Sequence, residues 1–246
     1  MRIILSPAKK MRVDDDIQPS GMPVFLEQSE IILDWLRQRD QKELKKLWAC
    51  SDKIMQENME RLETMDLKKA VTPALYAYDG IAYQYLAPEA FSDDEIAYVQ
   101  NNLRILSAFY GVLKPMDAVT PYRLEMQAKA SIGNSADLYD FWKDSLYEEV
   151  QDDSHVFINL ASKEYSRCIE SYLQPGDRYI TCIFGQMEKG KVVQKGVYAK
   201  MARGDMVCWM AQNEIEDPED LKGYDRLHFR YEEALSSHDT YVFLKD

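Results

Sequence analysis

No run of about eighteen apolar residues occurs in the chain, so the sequence offers no membrane-spanning helix. The apolar part of its opening, MRIILSPAKKM, is too short for the core of a secretory signal and is followed by no cleavage pattern, so a cytoplasmic protein is expected. Cysteine is scarce. Cys50, Cys168, Cys182 and Cys208 stand far apart, with no CxxC pair and no Cys/His cluster, which argues against a zinc site and for reduced, buried thiols. His155, His228 and His238 are isolated from one another and read as surface or capping residues. Iron favours clusters of His, Cys or carboxylate, and none stands out locally, so no metal and no cofactor are expected. A glycine-rich phosphate loop, HExxH, GxSxG and a cysteine beside a histidine are all missing, so no reaction can be named and enzymatic activity stays open. Cations are also outnumbered, 30 Lys and Arg against 42 Asp and Glu, for a net charge of −12. That excludes a protein whose whole surface attracts nucleic acid, but a local basic cleft remains compatible with it. The acidic excess at Asp14–Asp16, Asp93–Glu95, Glu148–Asp153 and Glu214–Asp220 reads as solvated helix ends and loops.

What is present is enough apolar material, 46% of 246 residues, for a full core, and a single domain over 1–246 is the expectation. The chain is organised around Leu103–Met126, which begins as an apolar run, turns at Tyr110-Gly111 and becomes a charged loop with two prolines. Before it, Arg2–Leu5 reads as a buried strand ended by Pro7. Phe25–Arg39, Gln41–Trp48 and Ser51–Met65 read as three helices in series. Thr72-Pro73 reads as a cap and first position of a short helix through Tyr76 and Tyr78, and Ser92 with Glu95 as a capping box opening a helix to about Asn101. After it, Asp137–Val150 reads as one helix and His155–Leu160 as a second buried strand. Tyr179–Met187 and Lys191–Gln194 read as a hairpin around Glu188-Lys189-Gly190. Val197–Ile215 reads as a helix, the segment from Asp217 to Gly223 as a short one, and Leu227–Tyr231 and Tyr241–Leu244 as strands closing the sheet. The fold class is therefore α+β, a mixed central sheet surrounded by helices.

Two strand ends echo each other. Ile4-Leu5-Ser6-Pro7-Ala8-Lys9 and Ile158-Asn159-Leu160-Ala161-Ser162-Lys163 both leave a buried strand through small residues, a serine and a lysine. Ligands in α/β sheets bind at the carboxyl ends of strands. If these strands are parallel neighbours, Lys9 and Lys163 would face one crevice; chance similarity is the alternative. Lys200 and Arg203, three apart, share a helix face. Together with Lys114 and Arg123 these cations are interleaved with Ser6, Tyr110, Tyr122, Asn159, Ser162 and Tyr165. Such a set suits a phosphate-bearing ligand, because Arg contacts phosphate bidentately, Lys adds charge, and Tyr stacks or donates a hydrogen bond. Asp117 and Glu125 could orient the cations, or one could serve as a general base.

Several of these stretches are similar to the YaaA peroxide-stress family: Ser6-Pro7-Ala8-Lys9, Ser51-Asp52-Lys53, Leu106-Ser107 with Tyr110 to Asp117 (YGVLKPMD), Pro121 to Met126 (PYRLEM), Asp137-Leu138-Tyr139 with Phe141-Trp142, Asn159 to Ser162 with Glu164-Tyr165, and Tyr198-Ala199-Lys200 with Ala202-Arg203-Gly204. They run in the family's order over nearly the whole chain. The resemblance implies a cytoplasmic bacterial protein of the hydrogen-peroxide response that lowers free iron and so limits Fenton damage. It also implies a compact α+β fold with a positively charged cleft, and double-stranded DNA binding with a helix-hairpin-helix-like element. The sequence departs from that pattern where Asp79 stands in place of an expected lysine before Gly80. Ala108 occupies a turn where such a hairpin favours glycine, and Pro115 comes too soon for an uninterrupted helix after Tyr110-Gly111. Two readings stay open: a DNA-binding stress protein with a basic cleft, and an enzyme acting on a nucleotide or another small phosphorylated ligand. A closed pocket would favour the second and an open groove the first. Direct iron binding lacks a ligand set. Oligomeric state is not legible.

Overall fold

The apolar run at positions 3–5 suits a strand covered on both faces, and β1 (Arg2–Leu5) lies inside the main sheet with those residues fully buried. The computed structural model describes residues 1–245. On one side β1 pairs in parallel with β5 (Leu103–Ser107), which turns back antiparallel into β6 (Gly111–Leu113). On the other side it pairs in parallel with β8 (Val156–Asn159), Ile3 lying opposite Ile158. Beyond β8 come β9 (Arg178–Glu188) and β12 (Thr240–Lys245), both parallel additions, and then the antiparallel edge strand β11 (Phe229–Tyr231). A short strand, β10 (Lys191–Val193), folds back on β9 as a hairpin. The sheet is thus mixed, eight-stranded and centred on a parallel core. Two small antiparallel bridges lie outside it: β2 (Lys10–Met11) with β4 (Tyr78–Asp79), and β3 (Thr72–Pro73) with β7 (Ala118–Val119).

Helices surround this sheet. The three-helix series is α1 (Leu26–Arg37), α2 (Gln41–Trp48) and α3 (Asp52–Thr64). Asp40 caps α2 in a reciprocal box with Glu43, and Ser92 does the same with Glu95 for α6 (Asp93–Asn102). Between them, α4 (Ala74–Ala77) is a single turn and α5 (Ile81–Leu86) is little longer. Thr72 and Pro73 do not cap and open a helix as the sequence suggests: their backbone is spent on the bridge to Val119 and Ala118, and the turn begins only at Ala74. The expected helix over Asp137–Val150 is two, α7 (Leu138–Trp142) and α8 (Ser145–Val150), because Lys143 adopts a left-handed φ of 47° that no α-helix admits. Leu227 and His228 also have positive φ, so the C-terminal strand starts at Phe229. The remaining helices are α9 (Lys163–Glu170) and α10 (Gly196–Gln212). The stretch 103–126 is a β-hairpin followed by a loop, with no helix between Asn102 and Leu138, so it holds no helix-hairpin-helix.

Two glycines set close approaches between these elements. Gly111 turns the hairpin at φ +72°, and a Cβ there would meet Phe25 and Trp142 at 2.8 and 2.9 Å. Gly204 lets α10 cross α5 at backbone contact, since a Cβ on it would sit 1.8 Å from the carbonyl oxygen of Ala82. The chain leaves β1 toward β5 but leaves β8 toward β9, away from β1. The carboxyl ends of β1 and β8 therefore flank a topological switch point, where open α/β sheets form crevices.

Candidate ligand-binding site

At that switch point the two serines of the sequence echo meet. Pro7 stops β1, so Ser6 lies just past its end, and Ser162 stands at the N-cap position of α9 just past β8, without a side-chain capping hydrogen bond. Ser6 Oγ accepts the Ser162 amide at 2.8 Å and lies 3.1 Å from Ser162 Oγ. Tyr83 of α5 donates to the Ser6 carbonyl at 3.0 Å, tying α5 to the same loop. A pocket of about 380 Å3 opens here between the β1 and β8 ends, the loop 122–125, α5 and the first half of α10. That is within the usual range for a small-molecule site.

The pocket collects Ser6, Lys9, Tyr122, Arg123, Glu125, Ser162, Tyr165, Lys200 and Arg203 of the candidates read from sequence. Glu125 orients two of the cations, its Oε2 accepting from Lys9 at 2.6 Å and its Oε1 from Arg123 at 2.8 Å. Arg123 also reaches the Lys9 carbonyl at 3.4 Å, so the loop after β1 and the loop after β7 are joined by two polar contacts. Tyr122 is nearly buried. Its hydroxyl lies 2.7 Å from Ser107 Oγ and 3.0 Å from Tyr78, its ring stacks on Phe109, and burial pushes its phenol up to about 12. Tyr165 is likewise buried to its edge, and its phenol is raised by the same cause.

Arg203 differs from the other cations. Burial works against its charge and lowers its pKa, yet it makes no ion pair or side-chain hydrogen bond among the described residues; its Nε, like that of Arg123, is sealed from solvent without a partner. Lys200, one turn earlier and exposed, adds a second cation without an ion pair among the described residues. Neutralising such a group requires something from outside.

Five candidates lie elsewhere. Tyr110 is buried under the hairpin, its hydroxyl accepting from the Thr120 amide at 3.0 Å. Asn159 is also buried, accepting from the Ala161 amide at 2.9 Å, and shapes the β8 end rather than lining the pocket. Lys163 is exposed and paired with Glu170. The two lysines of the echo therefore do not face one crevice: helix α9 turns Lys163 outward while the serines meet. Lys114 and Asp117 border a separate hollow with Gly21 and Glu149. Asp117 accepts the Lys114 amide at 2.8 Å, and burial raises its carboxyl to about 6.

The pocket also holds charged residues that sequence alone does not single out for binding. Lys10 pairs with Asp79, the residue standing where a lysine is expected, and this hydrogen bond holds the Asp79 carboxyl below its ordinary value. Glu164 lines the wall from the first turn of α9, one oxygen accepting the Gln127 amide at 3.2 Å, and burial raises its carboxyl. The available signal is position: Glu164 closely follows the β8 end, two residues after the candidate Ser162. Lining charge is thus mixed, five cations facing Asp79, Glu125 and Glu164. A second hollow, of about 620 Å3, also borders Glu125 and is lined by Trp35, Arg39, Trp48 and Lys129.

Residues 1–235 match the family described as peroxide stress protein YaaA. The chain belongs to that family. Among its relatives, a UPF0246 protein of Agathobacter rectalis is 56% identical over 244 residues, covering 99% of this chain and 98% of the relative. UPF0246 proteins of Desulfitobacterium hafniense and Pediococcus pentosaceus are 50% and 49% identical, over 100% of this chain and 98% of each relative. Membership places this YaaA-family protein in the peroxide-stress response. Three of its four thiols are not arranged as peroxide sensors. Cys168, Cys182 and Cys208 are buried, and burial pushes the first two up to about 12, whereas reactive cysteines have depressed values. No helix among the described residues is long and apolar enough to cross a membrane.

Proposed function

We propose that this YaaA-family protein serves the peroxide-stress response in the cytoplasm by binding a small phosphorylated ligand of nucleotide size in the pocket at the β1/β8 switch point. The observation that carries the reading is Arg203, a largely buried guanidinium without an acidic partner among the described residues, set beside Lys200 in a cavity of about 380 Å3. A phosphate oxygen pair supplies the charge and the acceptors that this guanidinium lacks. Leu5, Pro7, Ile81 and Leu160 supply an apolar wall suited to a ring. Protection from iron-driven damage would then be indirect, acting through the ligand held in this pocket.

A second reading takes duplex DNA as the partner, its backbone lying across the pocket mouth. The exposed side chains of Lys9, Lys10 and Lys200 favour it. Glu125 and Asp79 already engage two of these lysines, and the net charge of −12 works against a polyanion. Calorimetric titration of the full chain with ribose 5-phosphate, nucleoside monophosphates and a duplex oligonucleotide, each at low and raised salt, separates the two. Saturable binding of the monophosphates, lost in Arg203→Met, supports the small-ligand reading. Duplex affinity that falls steeply with salt, with no monophosphate binding, replaces it by the second.

A further inference from the structure

Pairing among the charged groups of the pocket leaves few of them free. Lys9 and Arg123 share Glu125, and Lys10 is taken by Asp79. What remains is Lys200 and Arg203 on α10, and Glu164 on the first turn of α9. The Glu164 carboxylate accepts the Gln127 amide at 3.2 Å, the Met126 amide also stabilises it, and no Lys or Arg among the described residues pairs with it. An anion-seeking end on one helix is therefore combined with a donor-seeking end on another, and apolar side chains such as Ile81 and Leu160 line the same cavity.

We propose that Glu164 reads the base edge of a nucleotide whose phosphate sits on Arg203 and Lys200, and that the pocket selects guanine. The proposal rests on the reading given under Proposed function and names the substrate class of that site. An ionised carboxylate offers acceptors and no donor. Guanine presents two adjacent donors, N1–H and the N2 amine, which a carboxylate can engage together. Adenine and cytosine each set a ring-nitrogen lone pair beside their amine, so a carboxylate that meets one donor also faces a repelling acceptor. Uracil and thymine flank their single N3–H with carbonyl oxygens, which the carboxylate repels from both sides. Glu164 is the pocket carboxylate without a cationic partner, so it is free for this role.

The test is calorimetric titration of the full chain with GMP, IMP, AMP and ribose 5-phosphate, repeated for GMP and AMP on Glu164→Gln. A bidentate contact predicts GMP about ten- to a hundredfold tighter than AMP. IMP, which keeps N1–H and lacks the N2 amine, should fall between them. Glutamine keeps an acceptor for the Gln127 amide but adds a donor, so Glu164→Gln should bring the GMP-to-AMP ratio to within about threefold. Equal binding of GMP and AMP by the unaltered protein, or a preference for AMP, overturns the guanine assignment; a ratio that survives Glu164→Gln overturns the role of Glu164. In either case measurable ribose 5-phosphate binding leaves the phosphate end standing. Failure of all four ligands to bind overturns both this inference and the reading it rests on.

Discussion

Replacing Arg203 should make the protein more stable and less able to bind. The guanidinium is largely buried, lowered in pKa by that burial, and unmatched by any carboxylate among the described residues. Desolvating a charge without a partner costs several kcal/mol, and exchanging buried ionic groups for apolar ones of similar volume commonly stabilises by about 1–4 kcal/mol. Arg203→Met keeps a long apolar stem and removes the charge. The expected gain is about 1–3 kcal/mol, the lower part of that range, because Arg203 lines the pocket and is only partly buried. At this chain length that corresponds to a rise in Tm of about 2–4 °C per kcal/mol. Urea unfolding followed by tryptophan fluorescence gives the difference directly, as a higher midpoint at unchanged slope. The same variant should lose the stabilisation that phosphorylated ligands confer. A ligand at a hundred times its Kd raises stability by about 2.7 kcal/mol, and removing charge-assisted hydrogen bonds worth about 1.5–3 kcal/mol weakens affinity about ten- to a hundredfold. The reasoning is refuted if Arg203→Met unfolds at lower urea than the parent protein. An unchanged response to ribose 5-phosphate would refute the binding half independently.

Three further predictions test other parts of the structure. Asp117 has a carboxyl raised from 3.8 to about 6 by burial. The unfolded chain therefore ionises first, and this group is neutral to stability below pH 4 and subtracts up to about 3 kcal/mol above pH 6. Asp117→Asn, which retains an acceptor for the Lys114 amide, should match the parent protein near pH 4 and exceed it near pH 7; a difference that does not vary with pH in parallel urea titrations would contradict the assignment. Gly204→Ala places a methyl 1.8 Å from the Ala82 carbonyl oxygen, so α10 must move off α5. A loss of about 3 kcal/mol or more is expected in thermal or urea unfolding, and wild-type stability would mean the two helices do not cross at backbone contact. Glu125→Gln leaves Lys9 and Arg123 without their shared carboxylate. Inorganic phosphate should then bind more tightly, by about three- to tenfold, with some loss of stability because the Arg123–Glu125 pair is largely buried, and weaker binding would show that Glu125 positions the cations rather than competing for them.

Much of the sheet was legible because its strands are short apolar runs ended by distinct residues. Arg2–Leu5 stops at Pro7 and Val156–Asn159 leads into Ala161-Ser162, and the likeness between those ends corresponds to real parallel adjacency. The hairpin at Gly190 and the capping box at Ser92 were equally plain, since each needs only contiguous residues. The break at Lys143 was hidden, because lysine in a left-handed conformation carries no local signature and the apolar spacing of Leu138, Trp142 and Leu146 runs straight through it. At the pocket, sequence could nominate cations but not tell free ones from paired ones. Glu125 lies two residues from Arg123 yet takes Lys9 from 116 residues away. Asp79 and Glu164 were visible in the sequence but not nominated for binding, because a carboxylate gains meaning here only through the neighbours the fold supplies.

The buried thiols bear on when this protein can work. With Cys168 and Cys182 pushed up to about 12, on the order of one molecule in a hundred thousand carries either thiolate at neutral pH, and only the thiolate reacts appreciably with peroxide. A factor of the peroxide response meets its highest oxidant load when it is most needed. Burial of these two sulfurs, one on α9 and one on β9, lets the folded chain pass through an oxidative burst without sulfenylation at these positions. Oxidation at these two positions should therefore appear only once unfolding exposes them.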